Sequence, residues 1–208
     1  MTLYCKHFHT TQVTDELMDT PTSRDRILTA GLSLFLKDGV ETSSVADLCR
    51  AAGVSNGSFF HHFSSKDELA LEIVLALRRE YWDFILTEME PHADAFDGVA
   101  GVIRAAFAYQ SRFPDRYKLG RSDEASWMRG NEHRLREDNA PYRGRAARWI
   151  AAHAAAGRLP VLLPEIYGAL LFGSPHWIIL NAHSGPEPTD FEASRDQLVA
   201  TIGKALGL

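Results

Sequence analysis

The sequence predicts an all-α fold, and three observations support this class. Apolar residues recur at intervals of three and four along most of the 208 residues, as they do on one face of a helix. Helix-capping serine, threonine and aspartate residues precede many of these runs, and glycine or proline follows them. No segment alternates apolar and polar residues over a useful length, so a sheet is not expected.

Three short helices are predicted near the N-terminus. The first spans about residues 23–38, where an apolar face runs up to Gly39. The second spans about residues 45–52, with serine caps before it and Gly53 after it. The third spans about residues 57–63, because the turn-forming sequence Ser-Asn-Gly-Ser leads into an aromatic face.

A longer fourth helix is predicted to start at a capping box on Ser65 and to run to Met89. It would span roughly 35 Å, which is long enough to join two bodies. We therefore expect a flexible leader at residues 1–20, a three-helix domain at residues 21–66 and a larger helical domain at residues 67–208.

The C-terminal part keeps helical spacing in five further stretches. They are residues 99–111, a segment after Pro114, residues 124–156 with an interruption at Pro141, residues 166–181 and residues 191–206. A Gly-Ser-Pro sequence at residues 173–175 predicts a kink where a ligand could enter. Residues 185–188 have the composition of a loop.

Composition excludes several classes of protein. With 45% hydrophobic residues the chain can bury a core, so global disorder is excluded. No apolar run reaches the roughly 18 to 20 residues needed to cross a bilayer, and residues 1–20 have no apolar signal core. We therefore expect a cytoplasmic protein with no membrane partner. Cys5 and Cys49 share no close-spaced motif, and we interpret both as reduced thiols.

The charge balance limits how nucleic acid could be bound. A net charge of −5 argues against coating DNA through bulk electrostatics. Residues 20–66 are weakly basic, with Arg24, Arg26, Lys37, Arg50 and Lys66 against Asp25, Asp38, Glu41 and Asp47. Affinity for DNA would have to come from a few phosphate contacts and from the doubled footprint of a dimer, with moderate salt dependence.

Two short helices joined by a glycine-containing turn suit the reading of a DNA groove. The small residues Asn56, Gly57 and Ser58 would let the start of the second of these helices approach base edges closely. Asn56 can offer its amide to adenine or to phosphate, and hydroxyl and backbone N–H groups at helix starts can hold phosphate oxygens. His61 and His62 would then lie along the groove-facing and backbone-facing sides.

The segment from Thr42 to Lys66, which includes the sequence AAGVSNGSFFHHFSSK, resembles the TetR family of bacterial repressors. The resemblance covers about residues 23–72 and combines several features at fixed spacing. It implies a DNA-binding head of helices 1 to 3, and a fourth helix linking it to an all-helical ligand-binding body. It also implies a four-helix dimer interface made by the last two long helices, and release of the DNA by a small molecule.

The same resemblance implies a set of DNA-contacting residues. Ser43 and Ser44 match hydroxyl positions that hold phosphate, Lys66 matches a phosphate-binding lysine, and His62 matches a histidine near the DNA backbone. The positions that match base-facing ones are Asn56, Gly57, Ser58 and His61.

One position departs from the family pattern. Phe60 stands where the family usually has a tyrosine whose hydroxyl touches a phosphate. Phe60 therefore either packs against sugar or thymine methyl groups, or is merely structural. We interpret Phe59 and Phe63 as core residues. Adjacent His61 and His62 would point about 100° apart, and no carboxylate or cysteine completes a set, so no metal site is predicted.

The C-terminal part is rich in large aromatic residues, which are Phe107, Tyr109, Phe113, Trp127, Trp149, Phe172 and Trp177. A domain of this size must bury such side chains, so ordinary core packing is the first interpretation. The alternative is that some of them line an apolar pocket in which a few polar groups orient a ligand. The residues considered for this pocket are Phe107, Gln110, Trp127, Trp149, Phe172, His176 and Trp177.

Enzyme motifs are missing from the sequence, which has no nucleophile elbow, phosphate loop, zinc-protease helix or dinucleotide fingerprint. We therefore predict no catalysis and no cofactor. The favoured function is a ligand-responsive repressor that binds a palindromic operator as a homodimer and responds to an unknown small-molecule effector. Two alternatives stay open: a helical small-molecule binding protein with a vestigial DNA-binding head, and a transcriptional activator.

Overall fold

A computed structural model describes residues 21–122, 126–182 and 189–208. Within these ranges there are helices and no strand, which confirms the all-α prediction. The helices are α1 Ser23–Asp38, α2 Val45–Ala52, α3 Asn56–His62, α4 Lys66–Thr87, α5 Ala95–Arg112, α6 Pro114–Gly120, α7 Glu132–Ala155, α8 Pro164–Tyr167, α9 Ser174–Leu180 and α10 Phe191–Leu206. A 3₁₀ turn, Ser126–Met128, precedes α7, and a π-helical segment, Gly168–Gly173, joins α8 to α9.

The chain divides into two compact units. The N-terminal unit ends at Ala76, and the C-terminal unit is Leu77–Leu208, so α4 contributes residues to both. The predicted leader at residues 1–20 and the predicted loop at residues 185–188 lie outside the described residues. No helix in the part of the chain that the structure describes is both long and apolar enough to cross a membrane.

Local caps and a small apolar core hold the N-terminal unit together. At the start of α1 the backbone N–H of Asp25 donates to Thr22 Oγ1, and the backbone N–H of Thr22 donates to the Asp25 carboxylate. Gly31 lets α1 approach α4 closely, because a Cβ atom there would lie 2.9 Å from Ile73 Cδ1. The buried core of this unit includes Ile27, Phe35, Leu48, Phe59 and Leu69.

The predicted helix boundaries agree well with the structure in the N-terminal unit. α1 and α2 span the predicted residues, and α3 is displaced by one residue at each end. Before α4 the Ser65 hydroxyl accepts from the Glu68 N–H at 3.1 Å, as the capping box predicts. The Glu68 carboxylate, however, accepts from the backbone N–H of Ser64. α4 ends at Thr87, two residues before Met89.

The predicted interruption at Pro141 is wrong, because α7 continues through this residue. Proline removes one backbone donor from a helix, which usually kinks or ends it. Here side-chain contacts on both sides of the proline hold the helix in place. Before it, Trp82 Nε1 donates to Asn139 Oδ1 at 2.9 Å; after it, Arg145 pairs with Asp83 at 2.5 Å.

The predicted kink near residues 173–175 corresponds to the π-helical segment Gly168–Gly173. Pro175 has no backbone N–H to continue an α-helical ladder, and the Ser174 hydroxyl donates to the Leu170 carbonyl at 2.5 Å. Each backbone hydrogen bond of this segment therefore spans one residue more than in an α-helix, and the α-helix resumes as α9.

Two glycines in α5 allow close helix packing in the C-terminal unit. A Cβ at Gly98 would lie 2.2 Å from the Trp149 indole, and a Cβ at Gly101 would lie 2.0 Å from the Glu88 carbonyl oxygen. α5 begins four residues earlier than predicted, because the Asp94 side chain caps it.

Candidate nucleic-acid interface

Two neighbouring serines before α2 have different surroundings. Ser44 is exposed and caps α2: its hydroxyl accepts from the Asp47 N–H at 3.1 Å and donates to the Asp47 carboxylate at 2.6 Å. Ser43 is buried, and its hydroxyl donates to the Gly39 carbonyl at 2.8 Å. The Ser44 hydroxyl therefore lies on the surface, whereas the Ser43 hydroxyl stabilises the turn after α1.

The turn between α2 and α3 requires glycine. Gly53 has φ 63°, a left-handed conformation that other residues rarely adopt, and its N–H donates to the Arg50 carbonyl. The N–H of Val54 donates to the Cys49 carbonyl at 3.0 Å, which completes the helix end. Arg26 of α1 donates to the Gly53 carbonyl at 3.4 Å, so the turn is fixed from α1 as well.

α3 has one buried face and one exposed face. The Ser55 hydroxyl caps it by accepting from the Ser58 N–H at 3.1 Å. Phe59 and Phe63, one turn apart, are 0% and 2% exposed, which confirms their prediction as core residues. The exposed face carries Asn56, Gly57, Phe60 and His61. The buried rings thus fix the orientation of the face predicted to read bases.

Phe60 is the large apolar residue of this exposed face. Its side chain is 55% exposed, and its ring meets Phe59 edge-on at a centroid distance of 5.3 Å. His61 is exposed and His62 half-buried, with their rings 4.9 Å apart. Within the described ranges no group of three histidine, cysteine or carboxylate residues could hold a metal ion.

Lys66, at the start of α4, holds the connection between α1 and α2. Its ammonium group donates to the Val40 carbonyl at 2.7 Å and to the Glu41 carbonyl at 3.2 Å. A lysine ammonium has three donors, so one N–H stays available for a phosphate oxygen. Lys66 can therefore position the start of α2 and contact DNA at the same time.

Two arginines of this unit pair with carboxylates of the same unit. Arg24 pairs with Glu72 at 2.5 Å, and Arg50 pairs with Asp47 at 2.7 Å. The Ser44 hydroxyl and Arg50 hold the pKa of the Asp47 carboxyl below its usual value, so Asp47 stays ionised beside the start of α2. A phosphate that approaches here must compete with Asp47 for Arg50.

The residues considered for a ligand pocket lie in several different packing environments of the C-terminal unit. Phe107 packs against an aromatic ring of α10, and Trp149 stacks on His153 at 3.9 Å. Trp127 is buried, and Gln110 is half-buried. These contacts are those of ordinary core packing.

The remaining three lie on the helix that contains the π-helical segment. Phe172 meets Trp82 edge-on at 5.1 Å, whereas Trp177 is 67% exposed. His176 Nδ1 lies 2.6 Å from the Tyr117 hydroxyl oxygen. Tyr117 lines a cavity of about 10 Å³, which none of the seven residues lines.

Sequence reasoning missed the polar residues that line this cavity. They are Arg78, Tyr81, Arg116, Tyr117 and Arg121, which line it together with Tyr109, one of the aromatic residues that the sequence analysis singled out. These residues lie in α4, α5, α6 and the residue after α6, so no single periodicity links them. It also missed the roles of Ser55 and Arg26, although Ser55 three residues before Ser58 is a capping signal.

Comparison with known proteins gives matches for part of the chain. The family described as "Bacterial regulatory proteins, tetR family" matches residues 27–73. The transcriptional repressor KstR2 of Mycolicibacterium smegmatis is 27% identical over 97 residues, which cover 43% of this chain and 45% of that protein. The chain thus matches less than half the length of this relative.

Solved structures share the fold over most of the chain. A TetR family regulator from Shewanella sp. PV-4 is 22% identical with a TM-score of 0.63, and the match covers 89% of this chain and 98% of that one. The regulator FadR from Bacillus subtilis, crystallised with stearoyl-CoA, is 14% identical with a TM-score of 0.67, and the match covers 85% and 96%.

Proposed function

We propose that this chain, whose residues 27–73 match the tetR family of bacterial regulatory proteins, is a member of that family and represses transcription as a homodimer on a palindromic operator. The exposed face of α3 carries the proposal. Asn56, Gly57, Phe60 and His61 lie on that face, and two buried phenylalanines behind it fix the helix. A short helix of this kind, preceded by a second helix and a glycine turn, fits the major groove.

The roles of the interface residues follow from their positions. Asn56 and His61 contact base edges, and the small residues Gly57 and Ser58 let the helix approach closely. Ser44 and Lys66 contact phosphates, and His62 lies beside the DNA backbone. Ser43, which the resemblance also matched to a phosphate contact, acts by holding the turn that presents Ser44, since its hydroxyl donates to the Gly39 carbonyl.

Exposed large apolar side chains near α8 and in α9 of the C-terminal unit support the homodimer. Leu163, Ile166, Trp177 and Leu180 are between 44% and 67% exposed. Large apolar side chains that lie together on a surface are typical of protein–protein interfaces. We propose that a second copy of the chain covers these side chains, so that two N-terminal units bind the two half-sites of one operator.

The effector is proposed to bind in the C-terminal unit. Stearoyl-CoA, crystallised with the B. subtilis FadR, is a small molecule bound by a protein of this fold, which supports a small-molecule effector here. Regulation requires that the effector and the DNA disfavour each other by a coupling free energy, typically about 1 to 3 kcal/mol. α4 contributes residues to both units, so it is the element through which we propose that coupling.

Selection of bound sequences from random DNA duplexes tests the proposal. We expect the full chain to enrich a dyad sequence, and Asn56→Ala and His61→Ala to change the preferred bases. Lys66→Ala should weaken binding to all duplexes and reduce the slope of log affinity against log salt by about one unit. The matched control is His133→Ala, which alters an exposed histidine of α7. It should change neither the preferred bases nor the salt dependence of binding. Failure to enrich any dyad at low salt would exclude the repressor.

A vestigial DNA-binding head is the second candidate function. It is favoured by the hydrogen bonds that the Ser43 hydroxyl and the Lys66 ammonium already donate to backbone carbonyls of their own unit. The same selection separates the two, because a vestigial head enriches no sequence. A reporter gene in a deletion strain then separates repression from activation, since loss of a repressor raises expression and loss of an activator lowers it.

A further inference from the structure

Residues 164–180 form one continuous helical stretch, in which α8, the π-helical segment and α9 follow one another without a break. Its buried residues recur at every fourth position and are Tyr167, Leu171, Pro175 and Ile179. Exposed residues recur between them at intervals of three or four. The exposed stripe is defined as Ile166, Ala169, Gly173, Trp177 and Leu180.

The π-helical segment keeps the centre of this stripe on one side of the helix. In an α-helix a step of four residues turns about 40° past a full turn, so residues four apart drift around the helix. The turns of the π-helical segment, Gly168–Gly173, contain more residues, and this offsets part of the drift. Ala169, Gly173 and Trp177 therefore lie in line along the exposed side.

The exposed stripe lies in a stretch of sequence without charge. Residues 166–182 contain no Lys, Arg, Asp or Glu, although Trp177 is 67% and Leu180 is 55% exposed. A charged partner would therefore find no opposite charge here. Charged residues are depleted from the centres of protein–protein interfaces, where one uncharged surface covers another. The charge pattern thus favours an uncharged partner surface, and the same stripe on a second copy of the chain is such a surface.

Nothing in the part of the chain that the structure describes requires glycine at position 173. Its φ of −72° and ψ of −45° are α-helical, and any residue adopts them. A Cβ atom there would lie 3.6 Å from the Gly168 carbonyl oxygen, which is an ordinary contact. Glycine inside a helix is less stable than alanine. A close approach by another molecule would account for it, because a helix without a side chain at its surface lets a second helix come near.

The exposed stripe is complementary to itself about Gly173. Ala169 and Trp177 lie four residues before and after Gly173, and Ile166 and Leu180 lie seven residues before and after it. A two-fold axis through Gly173 makes two copies of the helix antiparallel. It places Trp177 of each copy opposite Ala169 of the other, and Leu180 opposite Ile166. Each large indole ring then meets a single methyl group.

We propose that the exposed stripe packs against the same stripe of a second copy across a two-fold axis at Gly173, with Trp177 of each copy on Ala169 of the other. This inference rests on the proposed homodimer and specifies its geometry. A chain with a large residue at position 169 would clash with the indole ring. Trp177 and Ala169 therefore select an identical partner over a chain that lacks this pair.

Cysteine cross-linking of the full chain tests the position of the axis. The starting variant carries Cys5→Ser and Cys49→Ala, so that only an introduced thiol reacts. Gly173→Cys should cross-link to its own copy under oxidation, because residues on a two-fold axis meet themselves. A disulfide needs Cα atoms about 4.4 to 6.8 Å apart, which close packing at Gly173 provides. Ala147→Cys, at an exposed alanine of α7, is the matched control and should not cross-link.

Two further cysteines test the pairing of Trp177 with Ala169. Each of these positions lies about 6 Å along the helix from Gly173, so identical positions of the two copies are about 12 Å apart. Ala169→Cys alone and Trp177→Cys alone should therefore cross-link at least fivefold less than Gly173→Cys. A mixture of the two variants, after exchange of subunits, should cross-link into the mixed dimer.

Sedimentation equilibrium measures how strongly this pair holds the dimer. Ala169→Trp alone and Trp177→Ala alone should each raise the dimer dissociation constant about tenfold or more. The double variant exchanges the large and the small residue in both copies, so it should dimerise at least threefold more tightly than either single variant. Ala147→Trp is the matched control and should leave the dissociation constant unchanged. Circular dichroism verifies that each variant keeps its helix content.

Three results would overturn the pairing: a monomeric wild-type chain, cross-linking of Gly173→Cys no stronger than that of Ala147→Cys, or a double variant that dimerises no more tightly than the single ones. If the wild type is dimeric and enriches a dyad sequence while Gly173→Cys does not cross-link, the axis is wrong and the proposed function stands. If Gly173→Cys cross-links but the chain enriches no DNA duplex, the pairing stands and the proposed function is lost.

Discussion

The two compact units are stabilised in different ways. In the N-terminal unit a nearby side chain caps each helix start, and these caps are Thr22, Ser44, Ser55 and Ser65. In the C-terminal unit Asp94 and Asp190 cap α5 and α10, but α6, α7, α8 and α9 start without a side-chain cap. There, aromatic packing and ion pairs between residues more than 30 positions apart hold the helices, as between Arg145 and Asp83.

This difference predicts which positions of each unit tolerate substitution. In the N-terminal unit the helix starts are capped by residues three positions away and the core residues lie behind α3, so its exposed α3 face can vary with the DNA sequence at little cost in stability. The C-terminal unit depends on close contacts between distant segments. We therefore expect its packing positions to tolerate substitution far less than the exposed positions of α3.

The largest effect is expected where α5 packs against the end of α4. Gly101→Ala would place a Cβ 2.0 Å from the Glu88 carbonyl oxygen, and backbone cannot rotate away as a side chain can. We expect a loss of about 3 kcal/mol in the free energy of unfolding, measured by urea denaturation. Gly168→Ala is the matched control, because a Cβ there would meet nothing within 4 Å, and it should raise the free energy of unfolding by about 0.4 to 1 kcal/mol. Equal effects of the two substitutions would contradict the importance of this close contact.

A smaller effect is expected from removal of a cap in the N-terminal unit. Ser55→Ala removes the hydroxyl that accepts from the Ser58 N–H, and should lower the free energy of unfolding by about 1 kcal/mol. Operator binding should weaken on every duplex, since the whole of α3 is affected. Ser194→Ala, inside α10, removes a hydroxyl that caps no helix and should leave both quantities unchanged. If Ser55→Ala behaves like this control, local caps do not govern the N-terminal unit.

The N-terminal unit could be predicted from the sequence because its interactions are local. The capping residues and the turn glycine lie within a few residues of the helix ends that they determine. The predicted bounds of α1 and α2 therefore agree with the structure at every end. The contact of Lys66 with the Val40 carbonyl was not predictable, because it joins residues 26 positions apart.

The polar cluster of the C-terminal unit was not predictable for the same reason. Arg78, Tyr81 and Arg121 become neighbours only when α6 packs against α4, and a sequence pattern records spacing within a helix, not between helices. The interruption at Pro141 was wrong because the proline signal is local, whereas the contacts that keep α7 continuous come from α4.

The smallest effect concerns the exposed side of α3, at the position that departs from the family pattern. Phe60 is 55% exposed, so Phe60→Tyr adds a hydroxyl in solvent and should leave the free energy of unfolding unchanged. If the ring lies beside the DNA backbone, the hydroxyl gains a hydrogen bond to a phosphate, and affinity for the selected operator should rise about twofold to tenfold. Fluorescence anisotropy at constant salt measures this gain in affinity. The control is Phe107→Tyr, which places the same hydroxyl in the buried core of the C-terminal unit and should lower the free energy of unfolding. Unchanged DNA affinity in Phe60→Tyr would mean that the ring faces a sugar or a thymine methyl group, or acts only by packing on Phe59.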